Sequence, residues 1–290
     1  MKDILLSAKE VNDLKNTKQN LIIFDSSYFL PNTGINAIDE YNKEHIENAV
    51  FFDIDKISDP NNDLPHMFPS KNVFETHMQK LGLNNNDIVI IYDNSPLLSS
   101  ARCWVLLRYF GHKEIFILSG GIKSWKENGF ITTNEVSNMS FGNFKATEEN
   151  KNLLIKLEEM KNISDNQSFP ILDARSFERF SGSGNEPRPN LESGHIPNSL
   201  NLPASKLLDN NGNLISKSDF KNLINDLNLN ENEKVITTCG SGVSACVIAL
   251  SYYRIGNEDI PIYDGSWSEW ASKTWKSISF SDLKSDSKTV

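Results

Sequence analysis

The chain passes twice through the same succession of short apolar runs, turns and helical stretches, which points to two copies of one module rather than a single large core. Leu21-Ile22-Ile23-Phe24-Asp25 is an apolar run ended by an acidic turn residue, the form of a buried parallel strand feeding a loop. Phe169-Pro170-Ile171-Leu172-Asp173-Ala174-Arg175 takes that place in the second half. A His-Ile pair then leads into a strand-like segment in each half, with 150 residues between His45 and His195. A third apolar strand follows in Asp87 to Asp93 and in Lys234 to Cys239, where the offset from Asp93 to Cys239 is 146 residues. Helix-like stretches come next, Ala101 to Phe110 and Val243 to Tyr253, each with a glycine soon after. Both halves return to a strand and a Gly-aromatic turn, Ile115 to Trp125 and Ile260 to Trp267.

Short buried strands alternating with helices predict two α/β units, each a mainly parallel sheet flanked by helices on both faces. The 290 residues suit two domains of ordinary size. The polar stretch from Asn134 to Asn152 has no long apolar period, and the expected division is a first domain over 1–140, a linker over 141–155 and a second domain over 156–290. A formal net charge of -9, with no Lys/Arg block, repels nucleic acid and anionic membranes, so neither is expected as a partner. An anionic substrate would need a local basic site. Residues Met1 to Lys15 alternate basic and acidic side chains, unlike a signal or transit peptide, and no apolar run approaches membrane-spanning length, so a cytoplasmic location is expected. Cys103, Cys239 and Cys246 form no C-x-x-C pair and no metal-ligand spacing. Neither a metal nor a cofactor is expected, and a cysteine that does chemistry would act as a lone thiolate.

Cys239-Gly240-Ser241-Gly242-Val243-Ser244-Ala245 lies between a β-branched run and a helical stretch, where α/β sheets present ligands at the carboxyl ends of strands. Two glycines let the backbone turn tightly around the sulfur, so that successive N–H groups can face inward while the following helix adds its positive end. Both effects favour thiolate over thiol. Cys246, seven residues on, is expected to pack inside the domain. In the first half Asp93 stands at the place of Cys239, and Asn94-Ser95-Pro96 does not reproduce the glycine loop, so only the second half is expected to be catalytic.

The loop, together with Gly194-His195-Ile196-Pro197 and Tyr263-Asp264-Gly265-Ser266-Trp267, resembles the catalytic domain of the 3-mercaptopyruvate sulfurtransferases, two-domain members of the rhodanese family. Asp25 to Pro31, His45-Ile46 and Phe51 to Asp55 resemble the non-catalytic first domain of that family. The resemblance implies two tandem rhodanese-like domains and a Cys239 persulfide. It implies 3-mercaptopyruvate as sulfur donor, pyruvate as product, and a thiol acceptor such as thioredoxin or a small thiol. It places Arg179 and Arg188 on the substrate carboxylate and carbonyl, a role that suits the planar guanidinium fork. Arg175 is expected to form a structural ion pair. Gly240, Gly242, Val243 and Ser244 complete the substrate-binding loop, and Asp55, His66 and Ser241 match a proposed Asp-His-Ser proton relay. His45 and His195 recur in both halves, including the half without a nucleophile, and are expected to be structural.

Thiosulfate-preferring rhodaneses usually carry basic residues directly after the cysteine, whereas this loop has Gly240 and Ser241, so the resemblance implies mercaptopyruvate preference. Thiosulfate:cyanide sulfurtransferase activity and a non-catalytic interaction module are the alternatives. Cysteine phosphatases place an arginine six residues beyond the nucleophile; Ala245 stands there, which argues against that chemistry.

Overall fold

Aliphatic and β-branched runs buried on both sides form the strands, as parallel ladders require. The structure, a computed structural model, describes residues 3–137 and 139–274; the tail from Ser279 and the end of the expected second domain lie outside the described residues. One unit holds the described residues up to Lys151 together with Leu208–Leu214, and the other holds Asn152–Leu207 and the described residues from Ile215 onward.

In the first unit the chain runs β1 (Leu5–Leu6), α1 (Ala8–Thr17), β2 (Leu21–Asp25), α2 (Ala37–Lys43), β3 (His45–Ile46), β4 (Ala49–Phe51) and α3 (Lys71–Lys80). It continues through β5 (Ile88–Tyr92), α4 (Ser100–Tyr109), β6 (Ile115–Leu118), α5 (Gly121–Glu127) and β7 (Thr132–Thr133). Five strands make a parallel sheet in the order β1-β6-β5-β2-β4, with Phe24 in register between Ile91 and Val50. Strands β3 and β7 pair antiparallel outside it. Helix α1 starts on a capping box, in which the Ser7 N–H donates to Glu10 Oε2 at 2.8 Å and the Glu10 N–H donates to Ser7 Oγ at 3.3 Å.

The second unit repeats this plan with β8 (Leu154–Ile155), α6 (Leu157–Asn166), β9 (Ile171–Asp173), α7 (Phe177–Ser181) and β10 (Ser199–Asn201). Then come α8 (Lys217–Asp226), β11 (Ile236–Thr238), α9 (Ala245–Arg254), β12 (Ile262–Tyr263) and α10 (Ser266–Lys273). Its five strands are also parallel, in the order β8-β12-β11-β9-β10, which matches the first sheet strand for strand. Core positions recur with the strands: Ile23, Ile46 and Ile90 have Ile171, Ile196 and Ile236 as counterparts, all buried. The central strands β5 and β11 each deliver the chain into a loop and then into a helix, α4 or α9, that is buried almost all round. Among the described residues no helix is long and apolar enough to cross a membrane.

Residues 142–150 follow β7 and are held against the first unit. The Gly142 N–H donates to the Gln79 carbonyl at 2.8 Å, the Phe144 N–H to the Leu83 carbonyl at 3.0 Å, and the Phe144 ring is buried edge-on to Phe74. The buried Glu75 carboxylate accepts from Lys145 Nζ and from the Ala146 N–H, both at 2.9 Å. Burial alone would raise the Glu75 carboxyl, but these donors outweigh it and hold the group below its ordinary value of 4.5. A carboxyl lowered in the folded state stabilises the fold above its unfolded pKa, and that contribution is lost as pH falls through the folded value. Glu75→Gln is therefore expected to cost about 1 kcal/mol at neutral pH. The melting-temperature gap to the unsubstituted protein should close as the pH is taken below about 4. Thermal melts across pH check this, and a gap that stays constant into acid would contradict it.

Candidate active site

Strand β11 ends at Thr238 and α9 begins at Ala245, so Cys239 to Ser244 form a loop at the carboxyl end of the central strand. Gly242 has φ +77°, a conformation that favours glycine. Gly240 is needed for a different reason: a Cβ there would lie 2.7 Å from Arg179 Nη2. The missing side chain makes room for a guanidinium against the loop.

Three residues at the start of α10 fix the cysteine. The Trp267 N–H donates to the Cys239 carbonyl at 2.9 Å, and the Ser268 N–H and Oγ donate to the Gly240 carbonyl at 3.0 and 2.6 Å. The Cys239 N–H donates to Ser266 Oγ at 3.3 Å, and that hydroxyl donates to the Tyr263 carbonyl at 2.9 Å. Cys239 itself is 2% exposed. After it, the backbone N–H groups of Gly240, Val243, Ser244 and Ala245 donate to no acceptor among the described residues. Leaving a buried N–H without a partner costs roughly 1–3 kcal/mol. Gly240, Val243 and Ala245 are buried and Ser244 half-buried, so four such amides in six residues, in the loop after Cys239 and at the positive end of α9, are suited to negative charge. Cys246 is buried and donates its S–H to the Gly242 carbonyl at 3.1 Å, a packing position as expected.

The cations come from the segment after β9. Arg179 Nη2 lies against Gly240, and Arg188 Nη2 donates to Ser241 Oγ at 3.2 Å. The structure thus brings Arg179, Arg188, Gly240 and Ser241 together at the loop that carries Cys239. Arg179 is itself gripped by Glu186, with Nε donating to Oε1 at 3.1 Å and Nη2 to Oε2 at 2.6 Å. Arg175 turns away from the loop. It donates through Nε and Nη2 to both oxygens of Asp173, through Nη1 to Glu186 Oε1 at 2.8 Å, and its guanidinium lies 4.6 Å from the Trp267 ring centre. Burial opposes its charge, yet Asp173 and Glu186 outweigh burial and hold its pKa above the ordinary value.

His66 and Asp55 pair within the first unit. His66 Nε2 lies 2.8 Å from Asp55 Oδ1, the imidazole is buried edge-on to Tyr28 at 4.9 Å, and the Arg102 guanidinium donates to the His66 carbonyl. His66 has φ +61°, a left-handed conformation that strains a residue with a Cβ, and such strain concentrates at functional positions. The two recurring histidines are structural and alike. His45 Nδ1 donates to the Tyr41 carbonyl at 2.7 Å with its ring stacked on Tyr41, and His195 Nδ1 donates to the Phe180 carbonyl at 2.9 Å with its ring stacked on Phe180. Asp93, at the counterpart of Cys239, is buried and accepts from the Ser100 N–H at 2.8 Å and the Ser95 N–H at 3.1 Å. Burial pushes its carboxyl up against those hydrogen bonds.

Two residues of the site escape sequence reasoning, Glu186 and Ser266. Ser266 has φ +49°, where its counterpart Gly121 has φ +54°. A side chain at Gly121 would run into the Asp93 carbonyl, whereas the second unit seats Ser266 there and turns its hydroxyl onto the Cys239 N–H. The signal was available: a serine aligned with a glycine in a left-handed turn is an expensive choice. Among the described residues no group of three or more His, Cys, Asp or Glu could hold a metal ion. A cavity of about 340 Å³ in the first unit is lined by Tyr41, Phe51, Lys56 and His77 among others, and by none of the candidate site residues.

A parallel sheet whose central strand hands a cysteine to a loop of unpartnered amides, in a chain that repeats the sheet without the cysteine, defines a class of tandem α/β proteins. The family profile of the rhodanese-like domain matches residues 7–128 and again 156–273, and the chain belongs to the rhodanese family of sulfurtransferases. It is 35% identical over 254 residues to the human 3-mercaptopyruvate sulfurtransferase, covering 87% of this chain and 85% of that protein. Identity to the mitochondrial thiosulfate/3-mercaptopyruvate sulfurtransferase 1 of Arabidopsis thaliana is 34% over 274 residues, or 88% of this chain and 72% of the relative. The crystal structure of SseA from Escherichia coli, a 3-mercaptopyruvate sulfurtransferase, superposes with a TM-score of 0.83 at 30% identity, covering 92% of this chain and 99% of that one.

The strain at Ser266 can be measured. Ser266→Ala removes the hydroxyl but keeps the left-handed backbone cost, while Ser266→Gly removes both. The glycine variant is expected to melt higher than the alanine variant, by about 1 kcal/mol in stability. Equal melting temperatures would show that the turn is not strained.

Proposed function

We propose that this chain takes the sulfur of 3-mercaptopyruvate onto Cys239 and passes it to a thiol acceptor. The observation that carries the reading is the Cys239 loop, with unpartnered amides after the sulfur and Arg179 and Arg188 against Gly240 and Ser241. A monocarboxylate held by the two arginines would present its sulfur to Cys239. The Cys239 thiolate attacks that sulfur, the carbon–sulfur bond breaks, and its electron pair passes to the carbon as the enolate of pyruvate. The enolate takes a proton and leaves as pyruvate; Cys239 keeps the sulfur as a persulfide. The thiolate of an acceptor, thioredoxin or a small thiol, then attacks the outer sulfur, gains the persulfide and regenerates the Cys239 thiolate. The amides of Gly240, Val243, Ser244 and Ala245 suit the negative charge that persists on sulfur through this cycle.

Proton handling is assigned to Ser241 and to His66 with Asp55. Nε2 donates to the Asp55 carboxylate, which fixes the orientation of the His66 ring, and imidazole is the side chain suited to exchanging protons in such a relay. The reading makes 156–290 the catalytic domain and 1–140 its scaffold. It also places the protein in the cytoplasm, where thiols stay reduced, in keeping with Cys103, Cys239 and Cys246 as free cysteines.

Incubation with 3-mercaptopyruvate is expected to make the intact protein one sulfur atom heavier, with the adduct on the Cys239 peptide and ping-pong kinetics. Cys239→Ala should lose both adduct and turnover, and Cys246→Ala should keep most of each. Side-by-side rates with thiosulfate test the donor: a higher kcat/KM for thiosulfate would overturn mercaptopyruvate preference while leaving the persulfide chemistry standing.

A further inference from the structure

The Glu186 side chain is 1% exposed and holds two arginines at once. Arg175 does not need it for charge balance, because Asp173 already meets Arg175 with both oxygens and the Gly194 carbonyl accepts a further bond from it at 2.6 Å. The Glu186 charge is therefore left for Arg179. Asp173, Arg175, Glu186 and Arg179 sum to zero, two cations against two anions. Arg179 reaches the sulfur-carrying loop as a guanidinium whose charge is offset, with Nε and one Nη2 hydrogen spent on Glu186 and the Nη1 edge left for a ligand. A single atom, Arg179 Nη2, joins the two: it lies 2.6 Å from Glu186 Oε2 and 2.7 Å from where a Gly240 Cβ would stand.

We propose that Glu186 is a specificity-determining residue: it fixes the Arg179 fork while cancelling its charge, so that the loop favours a singly charged sulfur donor over a doubly charged one. The inference rests on the assignment of Cys239 as the sulfur carrier. Its physical basis is the difference between direction and charge. A monocarboxylate gains mainly from a fixed fork that matches its two oxygens. A dianion such as thiosulfate, which gives up its outer sulfur to Cys239 and leaves as sulfite with the electron pair of the broken S–S bond, gains mainly from net positive charge. Coulomb energy scales with the charge of the ligand, so one uncompensated cation attracts a dianion twice as strongly as a monoanion at the same distance. Glu186 removes that advantage from inside the protein, where salt screens it little.

The test compares kcat/KM for thiosulfate and for 3-mercaptopyruvate in the full chain carrying Glu186→Gln or Glu186→Asp, with sulfur loading of Cys239 followed by intact mass. E186Q is expected to raise the thiosulfate-to-mercaptopyruvate ratio about tenfold. E186D retains the charge and should leave the ratio within about twofold of the unsubstituted value, even where the rates for both donors fall. If E186Q does not fold, the same comparison is made between R179K and the double substitution E186Q/R179K, which differ only in this charge and carry a flexible ammonium that can relax toward solvent. An unchanged donor ratio in E186Q, or equal ratios in the R179K pair, with Cys239 still loading sulfur, would overturn the role of Glu186 alone. A shift in E186D as large as that in E186Q would also overturn it, since geometry rather than charge would then set the ratio. Failure of the unsubstituted protein to load sulfur on Cys239 from either donor would instead overturn the underlying assignment, and this inference with it.

Discussion

Trp267 is the residue on which the second unit's site is assembled. It is fully buried, its N–H holds the Cys239 carbonyl, its Nε1 donates to the Glu192 carbonyl at 2.7 Å, and its ring lies under the Arg175 guanidinium. Its backbone amide thereby ties the cysteine loop to the start of α10, while its indole packs against the ion cluster that aims Arg179. Backbone hydrogen bonds from consecutive residues, Trp267 and Ser268, to consecutive carbonyls, Cys239 and Gly240, leave the loop little freedom. With its carbonyls held this way, the loop leaves several of its amides to a ligand.

The ion cluster itself answers a difficulty set by composition. A chain with net charge -9 has to bring an anion to a buried sulfur, and a buried guanidinium without a partner would cost several kcal/mol. Alternating Asp173, Arg175, Glu186 and Arg179 satisfies each charge in turn and leaves one guanidinium edge turned to the loop. Arg188 approaches the same loop through Ser241. Two guanidinium groups are thus brought to one loop in a chain whose net charge is -9.

The first unit shows how little of this belongs to the fold. Its sheet has the same strand order, its Ile122 N–H donates to the Asp93 carbonyl at 3.3 Å as Trp267 does to Cys239, and Gly121 adopts the left-handed turn of Ser266. Yet Asp93 accepts hydrogen bonds from the Ser95 and Ser100 amides, so this loop folds back on its own carboxylate, a negative charge where the second unit has Cys239. The scaffold is common to both units, and the chemistry lies in the residues seated on it. What the first unit contributes in its own right is a strained, buried histidine on an exposed aspartate.

The sequence by itself determined the repeat, the parallel α/β architecture and the place of Cys239 at the end of the central strand, because apolar runs of strand length, helical spacing and glycine positions are local signals that survive without coordinates. Leu21 to Asp25 reads as a strand and is one; Cys239 reads as a loop residue after the central strand and is one. Resemblance named Arg179, Arg188 and Ser241, and the structure brings them together at the loop. Only the tertiary structure decided why Gly240 has no side chain, since the Arg179 guanidinium that fills its space comes from 61 residues away in the chain. It alone decided that Glu186 is shared between two arginines and that Ser266 supports the Cys239 amide. Such pairings depend on which long-range partners the fold brings within hydrogen-bonding reach, and no periodicity along the chain encodes that distance.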